Sequence, residues 1–327
     1  MSKVEEWDFP GNGGPLVVRA VSDLGGVMAL TPSGRERRLF CIRDGRVEWS
    51  RTYRSLRGLC ASRERVAVLT PGSLEVLDGG KRAFTAEGGV DMACSSDMGV
   101  IYIYNPLEET LGIVSEGEFV RDLGFLIEGP VLLSSSPDGR IPVGLSRFDP
   151  GLNLIFFNPF EMDVGKVFRL PPSSRLLRFF RPVVANDSTV AFSYSYSQSG
   201  RMRDVFVLYR KEIDVYLEAP FPRGFSYDLS DDGELLALGK RKDGLYLLRR
   251  GRPLWGFRGD VRKVALAGNK VVAGCRLGER FGELCIFDDT GAIELKTGPL
   301  LSFSISTDGK FLGYSTPGGS VRLLRIG

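Results

Sequence analysis

Short runs of apolar residues alternate with tight polar turns along almost the whole chain. Three turns read Ser-Pro-Asp-Gly (136–139), Ser-Asp-Asp-Gly (230–233) and Ser-Thr-Asp-Gly (306–309), and a degenerate copy, Ser-Asp-Met-Gly, lies at 96–99. Asp-Gly favours the turn conformations that join two antiparallel strands. The apolar runs behind these turns predict strands at 100–104, 141–145, 235–239 and 311–315. No stretch keeps the apolar period of an amphipathic helix, so the pattern predicts an all-β chain.

Aligning the turns divides the chain into repeated segments. The segments are 15–53, 54–88, 89–126, 127–172, 173–219, 220–258, 259–298 and 299–327, with 54–88 and 173–219 as the weakest copies. Eight segments in 327 residues give a spacing of about 41 residues, which is typical of repeats that each form a four-stranded sheet.

The three tryptophans locate a fourth strand in these segments. Trp49 and Trp255 each follow a strand and a short turn, so each belongs to the fourth strand of its segment. Trp7 has the same spacing but precedes the first segment, whereas the last segment ends after its third strand. Joining the two chain ends reproduces the pattern around Trp255. We therefore expect the N-terminal strand to complete the C-terminal sheet and to close a ring.

These features resemble the WD40-like and quinoprotein-like (PQQ-repeat) β-propellers over essentially the full chain. The span 251–309 is the best match, with Trp255 followed by a turn, an inner strand and Cys285-Ile286-Phe287-Asp288. The Gly-His and Trp-Asp signatures of WD40 repeats are absent, and the latter survives only as Phe287-Asp288 or Leu77-Asp78. The resemblance implies a closed propeller of eight four-stranded blades, with seven as the alternative, in a single domain over residues 1–327.

The chain contains no histidine. This excludes the Ser-His-Asp and Cys-His nucleophile systems and every histidine-ligated metal site. Paired carboxylates at Asp231-Asp232 and Asp288-Asp289 are the candidates for a histidine-independent hydrolase, but both pairs lie in turns, where aspartate is expected. We therefore predict a non-catalytic protein-interaction scaffold without metal or cofactor, and keep the hydrolase as a less favoured alternative.

Charge is distributed unevenly over the loops of the predicted propeller. Two kinds of connection lie at one end of each sheet, which we call the upper end: second to third strand, and fourth strand to the next segment. Basic residues outnumber acidic ones in these connections, and the balance reverses at the opposite, lower end. The predicted partner-binding residues are Arg35, Arg37, Arg38, Arg201, Arg203, Lys240, Arg241, Lys242, Arg258, Arg276 and Arg280.

Three interpretations of this basic end stay open from the sequence. Arginine forks can bind an acidic protein or peptide, which we favour as the partner. Tyr53, Phe148, Phe257 and Phe281 interleave with the basic loops, so binding of RNA or DNA is the alternative. The third interpretation is a solvated surface rich in salt bridges that contributes only stability.

Composition suggests where the protein works. One Gln and six Asn beside 33 Arg indicate adaptation to heat. The acidic start of the chain lacks a signal-peptide core, and no apolar run approaches the roughly 20 residues that span a bilayer. We expect a cytoplasmic protein that does not bind membranes, and leave its oligomeric state open.

Cys275 and Cys285 flank one predicted hairpin, and whether they form a disulfide is also open.

Overall fold

The strands of this chain pair only in antiparallel sheets. The computed structural model describes residues 5–9, 15–31, 36–108, 110–116, 118–124, 131–148, 151–157, 162–210, 213–220, 224–268, 270–276 and 282–326. Within those ranges all the regular secondary structure consists of β-strands, which confirms the all-β prediction. No helix in these ranges has the length and hydrophobicity needed to cross a bilayer. The chain divides into two compact units, Met1–Gly89 with Ala265–Gly327, and Val90–Val264. The single domain over 1–327 stays a prediction.

The first unit contains four groups of strands. One sheet has the order β2 (Val17–Val21), β3 (Val27–Leu30), β4 (Arg37–Arg43), β5 (Arg46–Tyr53). The next has the order β6 (Gly58–Ser62), β7 (Arg65–Leu69), β8 (Ser73–Asp78), β9 (Lys81–Glu87). The third group is β27 (Lys270–Arg276), β28 (Gly282–Phe287), β29 (Ile293–Leu300). The last has the order β1 (Glu5–Phe9), β32 (Val321–Arg325), β31 (Phe311–Ser315), β30 (Ser302–Ile305).

The second unit also contains four groups. The first is β10 (Asp91–Cys94), β11 (Val100–Asn105), β12 (Thr110–Ser115), β13 (Glu118–Gly124). The second is β14 (Val131–Ser135), β15 (Pro142–Phe148), β16 (Gly151–Phe157), β17 (Met162–Arg169). The third is β18 (Ser174–Phe179), β20 (Val190–Gln198), β21 (Arg201–Arg210), β22 (Ile213–Pro220), with short β19 (Val183–Val184) beside β20. The fourth is β23 (Phe225–Leu229), β24 (Leu235–Lys240), β25 (Asp243–Arg249) and the first half of β26 (Arg252–Ala267).

The number of sheets differs from the number of predicted segments. Each of the eight segments carries one group of strands, but the described residues form seven sheets. The difference arises at 220–258 and 259–298, because the chain stays extended through the 16 residues of β26 and one strand serves both groups. The weak segments 54–88 and 173–219 each form a sheet of their own.

The N-terminal strand pairs with the last strand of the chain. β1 runs antiparallel to β32, with Trp7 opposite Leu323 and Phe9 opposite Val321. Trp7 and Phe9 pack against a buried cluster that includes Val21 and Leu323. The sheet therefore contains three strands from the C-terminal end and one from the N-terminal end, which is the pairing expected around Trp7.

Burial follows the position of each strand in its sheet. In the second sheet, residues of β7 after Arg65 are fully buried, whereas the outer strand β9 alternates between exposed and half-buried side chains. Packing joins neighbouring sheets: one cluster of the second unit combines Leu145 and Phe168 with Phe192, Tyr194 and Val205. An apolar side chain of this size contributes about 1.5–3 kcal/mol when it leaves water, so these contacts between sheets stabilise the unit.

The repeated Ser-x-Asp-Gly turns share one hydrogen-bond pattern. In the turn at 230–233, the Ser230 hydroxyl donates to Asp232 at 2.6 Å and accepts the Leu235 N–H at 2.9 Å. The Glu234 N–H donates to the same Asp232 oxygen at 3.0 Å. Gly233 has a φ of 72°, in the left-handed region that glycine adopts without strain. The turns at 136–139 and 306–309 repeat these bonds.

Candidate functional site

The aspartates of the lower turns are engaged in local structure. Hydrogen bonds from the Ser230 hydroxyl and then from the Glu234 N–H hold the pKa of Asp232 below its usual value. Burial and the neighbouring Asp232 charge raise the pKa of Asp231. Asp288 accepts the Thr290 hydroxyl at 2.7 Å and the Thr290 and Ala292 N–H groups at 2.9 Å. The carboxylates of Asp232 and Asp288 therefore stabilise turns, as the sequence pattern predicts.

Turns of neighbouring sheets also bond to each other within each unit. In the first unit, Asp23 accepts the Thr307 hydroxyl at 2.6 Å and the Ser62 hydroxyl at 3.3 Å. In the second unit, Asn186 accepts the Asp138 N–H at 3.0 Å, and its own N–H donates to the Asp231 carbonyl at 2.8 Å. The lower ends of the sheets are thus fixed by polar contacts.

In the first unit, the structure places only part of the predicted basic set. Arg37 and Arg38 lie at the start of β4, and the Arg38 guanidinium bonds the Ser50 hydroxyl at 3.0 Å and lies 5.1 Å from the Phe40 ring centre. The backbone of Arg276 ends β27. Arg35 and Arg280 lie outside the described residues.

The second unit carries the larger described part of the basic set. Arg201 and Arg203 open β21, directly after the turn from β20. Lys240 ends β24, and Arg241 and Lys242 form the turn into β25. Arg258 follows on β26, where its strand pairs with Gly244 of β25. All of these residues lie at the upper ends of their sheets, as the loop assignment predicts.

The upper and lower ends of the sheets differ in their ion pairs. Among predicted site residues with described side chains, Lys240 alone pairs with a carboxylate of the described ranges, Asp243 at 2.6 Å. The lower ends contain a series of such pairs. They are Arg43–Glu48, Arg65–Asp78, Arg140–Asp138, Arg210–Asp187, Arg250–Glu234, Lys270–Glu294 and Lys310–Asp308. Arg262 pairs with Asp260 at 3.8 Å at an upper end, but the arginines of the predicted set with described side chains take part in none of the described salt bridges.

Arg178 and Arg181, which lie outside the predicted partner-binding set, contact buried carboxylates. Arg178 donates to the Ser195 hydroxyl at 3.1 Å and lies 3.9 Å from the buried carboxylate of Asp204. Arg181 bonds the buried Asp91 carboxylate and donates to the Met92 and Leu133 carbonyls at 2.9 and 2.5 Å. The partners of Arg178 lie in its own sheet, whereas Arg181 reaches residues 89 and 48 positions earlier in the chain.

The cysteine pair is not bridged. Cys275 and Cys285 are both free and buried, on neighbouring strands β27 and β28. A hydrogen bond from the Cys275 thiol lowers the pKa of Cys285, against the opposing effect of burial. Cys41 is also free and buried, and burial with the nearby Glu48 charge raises its pKa to about 12. The disulfide left open by the sequence is absent.

A cavity of about 230 Å³ lies between the first two sheets of the first unit. Arg43, Glu48 and Glu64 line it together with Trp49. Arg63 lines it as well, and Arg43 is 3.1 Å from Glu48 and 3.8 Å from Glu64, so the basic and acidic residues of this cavity balance in charge.

A larger groove, of about 480 Å³, opens in the second unit between the sheets of β14–β17 and β18–β22. Phe168 and Leu170 line it from the first sheet, and Tyr194, Tyr196 and Val205 line it from the second. These residues lie near the upper ends of their strands, because β17 ends at Arg169 and β20 ends at Gln198. The groove is therefore next to the turn that carries Arg201.

Comparison with solved structures identifies the architecture. A structure described as "Structure of Dos1 propeller" superposes with a TM-score of 0.62, covering 99% of this chain and 95% of that chain at 13% sequence identity. The fold is a β-propeller. No protein-family model matches the propeller, and no curated protein sequence is significantly similar to it. The likeness extends to the fold alone, so function has to be argued from the residues of this chain.

Proposed function

We propose that this propeller is a non-catalytic interaction scaffold that binds an acidic protein segment at the upper ends of the second-unit blades. Propellers commonly serve as protein-interaction scaffolds. The observation that carries the proposal is the lack of carboxylate partners, within the described ranges, for Arg201, Arg203, Arg241 and Arg258. The same blades pair basic residues at their lower ends, as Arg210 does with Asp187 and Arg250 with Glu234.

An unpaired arginine is well suited to a carboxylate partner. Its guanidinium offers a planar fork of donors and retains its charge at every physiological pH. Arg201, Arg203 and Arg258 lie on strands, so the backbone that carries them loses little freedom on binding. A carboxylate that reaches such a fork gains charge-assisted hydrogen bonds that solvent supplies less well.

The aromatic residues favour protein over nucleic acid as the partner. Stacking on bases requires exposed ring faces. Of the four aromatics expected to interleave with the basic loops, Tyr53 is 8% exposed and donates its hydroxyl to Glu75 at 3.2 Å. Phe257 is half-buried on β26. The side chains of Phe148 and Phe281 lie outside the described residues.

We also propose that the chain forms eight blades, with β26 contributing to two of them and β1 completing the last. β26 pairs with β25 through Arg252–Gly259 and continues into the strand that precedes β27. Its length of 16 residues is about twice that of an ordinary strand. The pairing of β1 with β32 supports the ring closure expected from Trp7.

A matched pair of charge reversals tests the binding proposal. Arg241→Glu with Lys242→Glu changes the upper turn, and Arg249→Glu with Arg252→Glu makes the same charge change at the lower end of the same blade. Binding of a fluorescent oligoglutamate peptide and of a single-stranded oligonucleotide is measured by polarisation at several salt concentrations. We expect the upper reversal to weaken peptide binding about tenfold and the lower one to leave it almost unchanged.

Two results would contradict this proposal. Equal effects of the upper and lower reversals would show that only net charge matters. Binding of the oligonucleotide with no binding of the peptide would instead support the nucleic-acid alternative.

A further inference from the structure

The groove in the second unit has the size and lining of a ligand site. Its volume of about 480 Å³ lies in the range of about 300–1,000 Å³ found for small-molecule and side-chain pockets. Aromatic packing fixes its floor: Phe168 meets Phe192 edge to face at 5.0 Å between ring centres, and Tyr194 lies 6.4 Å from Tyr196. The floor is therefore preformed and largely apolar.

Strand register shows which charged groups share the groove. Tyr194 lies opposite Val205, which lies opposite Glu218 on β22. One step further up, Tyr196 lies opposite Arg203. Because side chains two apart on a strand point to the same face, Arg203 lies on the face that carries the groove residue Val205. Arg201 is on that face too, at the end of β21.

The acidic group of the groove is already engaged. The Tyr196 hydroxyl donates to the Glu218 carboxylate. Burial, then this hydrogen bond, raise the pKa of Tyr196 to about 12, so the phenol stays a neutral donor. Arg203 is half-buried and has no carboxylate partner in the described ranges. Arg169 is the basic residue that lines the groove itself, and Arg203 and Arg201 continue the positive charge beyond its edge on the same face of β21.

We propose that this groove receives a bulky apolar side chain from the acidic segment, while neighbouring carboxylates of that segment bind Arg203 and Arg201. The acidic part of this proposal rests on the proposed function, and the apolar part rests on the groove. Charge complementarity selects the occupant: an apolar floor lies beside two arginines that have no carboxylate partner among the described residues, and this matches a segment in which acidic residues flank a phenylalanine or leucine. Recognition then combines apolar burial with directional salt bridges.

Two substitutions at one position separate the shape of the groove from its charge. Glu218→Trp removes the carboxylate and fills the groove, whereas Glu218→Gln removes the charge and retains the size and an acceptor for Tyr196. Both variants are first compared with the wild type by near-ultraviolet circular dichroism and thermal melting. Arg203→Gln tests the charged contact.

Three labelled heptapeptides are the probes, measured by fluorescence polarisation. The first has a central phenylalanine between glutamates, the second has serine in its place, and the third has phenylalanine between glutamines. We expect the wild type to bind the first at least tenfold more tightly than the second, because burial of the ring is lost. Glu218→Trp should abolish that difference, Glu218→Gln should retain it, and Arg203→Gln should weaken both acidic peptides.

Each contrary result identifies the part that fails. Equal affinity of the wild type for the two acidic peptides overturns the groove inference and leaves the proposed function intact. No binding of either acidic peptide up to about 1 mM overturns both. Equal binding of the glutamine-flanked peptide overturns the acidic partner. Displacement of the bound phenylalanine peptide by an oligonucleotide at lower concentration than by unlabelled peptide overturns the proposal in favour of a nucleobase ligand.

Discussion

Arg181 ties three blades of the second unit together, and its removal provides a direct test of how the propeller is stabilised. Its guanidinium bonds the Asp91 carboxylate of β10 and donates to the Leu133 carbonyl of β14 and the Met92 carbonyl. Asp91 has a side chain that is 9% exposed, and it also accepts the Leu133 N–H at 2.8 Å. Arg181→Ala leaves this buried carboxylate with one described hydrogen bond.

The expected loss follows from the geometry of the pair. Removing one partner of a buried ion pair costs about 3–5 kcal/mol. The Arg181 side chain is 46% exposed, so water can replace part of its contact, and we take about 3 kcal/mol. The unfolding entropy is about 2.1 cal/mol/K per residue, or about 0.7 kcal/mol/K for 327 residues. The melting temperature should then fall by about 4 °C if the whole chain unfolds together.

Calorimetry and urea unfolding measure this loss. Arg175→Ala is the control, because Arg175 is exposed on β18, shortly before Arg181, and has no described partner. Its melting temperature should stay within about 1 °C of the wild type. Asp91→Asn completes a double-mutant cycle, in which the two losses should add to more than the loss in the double variant. A shift for Arg181→Ala no larger than that for Arg175→Ala would refute the reasoning.

Three further predictions concern turns and the chain end. Gly80→Ala should lower the unfolding free energy by about 2 kcal/mol or more, since Gly80 has a φ of 79° and a Cβ there would lie 2.5 Å from the Trp49 ring. Gly79→Ala is the control: a Cβ at Gly79 has nothing within 4 Å, so this substitution should cost about half as much. Folding lowers the pKa of Asp232 from 3.8, so the stability it contributes is present above that value and is lost as pH falls through the folded-state pKa. The difference in unfolding free energy between wild type and Asp232→Asn should therefore disappear in acid. A difference that stays constant with pH would contradict this prediction. Removing residues 1–9 should lower the melting temperature measurably, and an unchanged value would argue against a structural role for β1.

Local chemistry made the turns and most strands predictable. The Ser-x-Asp-Gly turns need only residues that are adjacent in sequence, because Ser230, Asp232 and Gly233 satisfy one another's conformational and hydrogen-bond requirements. The same holds for Trp49 and Trp255, which lie on outer strands where their spacing from the preceding turn predicts them. Because the order of strands and turns was predictable, the position of the basic residues at the upper ends of the sheets was predictable too.

Packing decided what the sequence left open. The residues from Arg252 to Ala267 have the local preferences of extended chain, and these are the same whether they form one long strand or two separate ones. The number of sheets therefore depended on which strands pair with this segment. The pairing of Arg181 with Asp91 joins residues 90 positions apart, and no local pattern specifies it. For the same reason, only the tertiary structure shows that no carboxylate among the described residues pairs with Arg203.

The groove shows the division between the two most clearly. Phe192, Tyr194 and Tyr196 alternate with serines, and this pattern by itself determines that the three rings share one face of β20. What covers that face was decided by the tertiary structure: Phe168 of the neighbouring blade packs against Phe192 and leaves space above Tyr194 and Tyr196. Periodicity fixes the face of the strand from which a side chain projects, whereas the distance between two sheets depends on the volumes of the side chains on both of them.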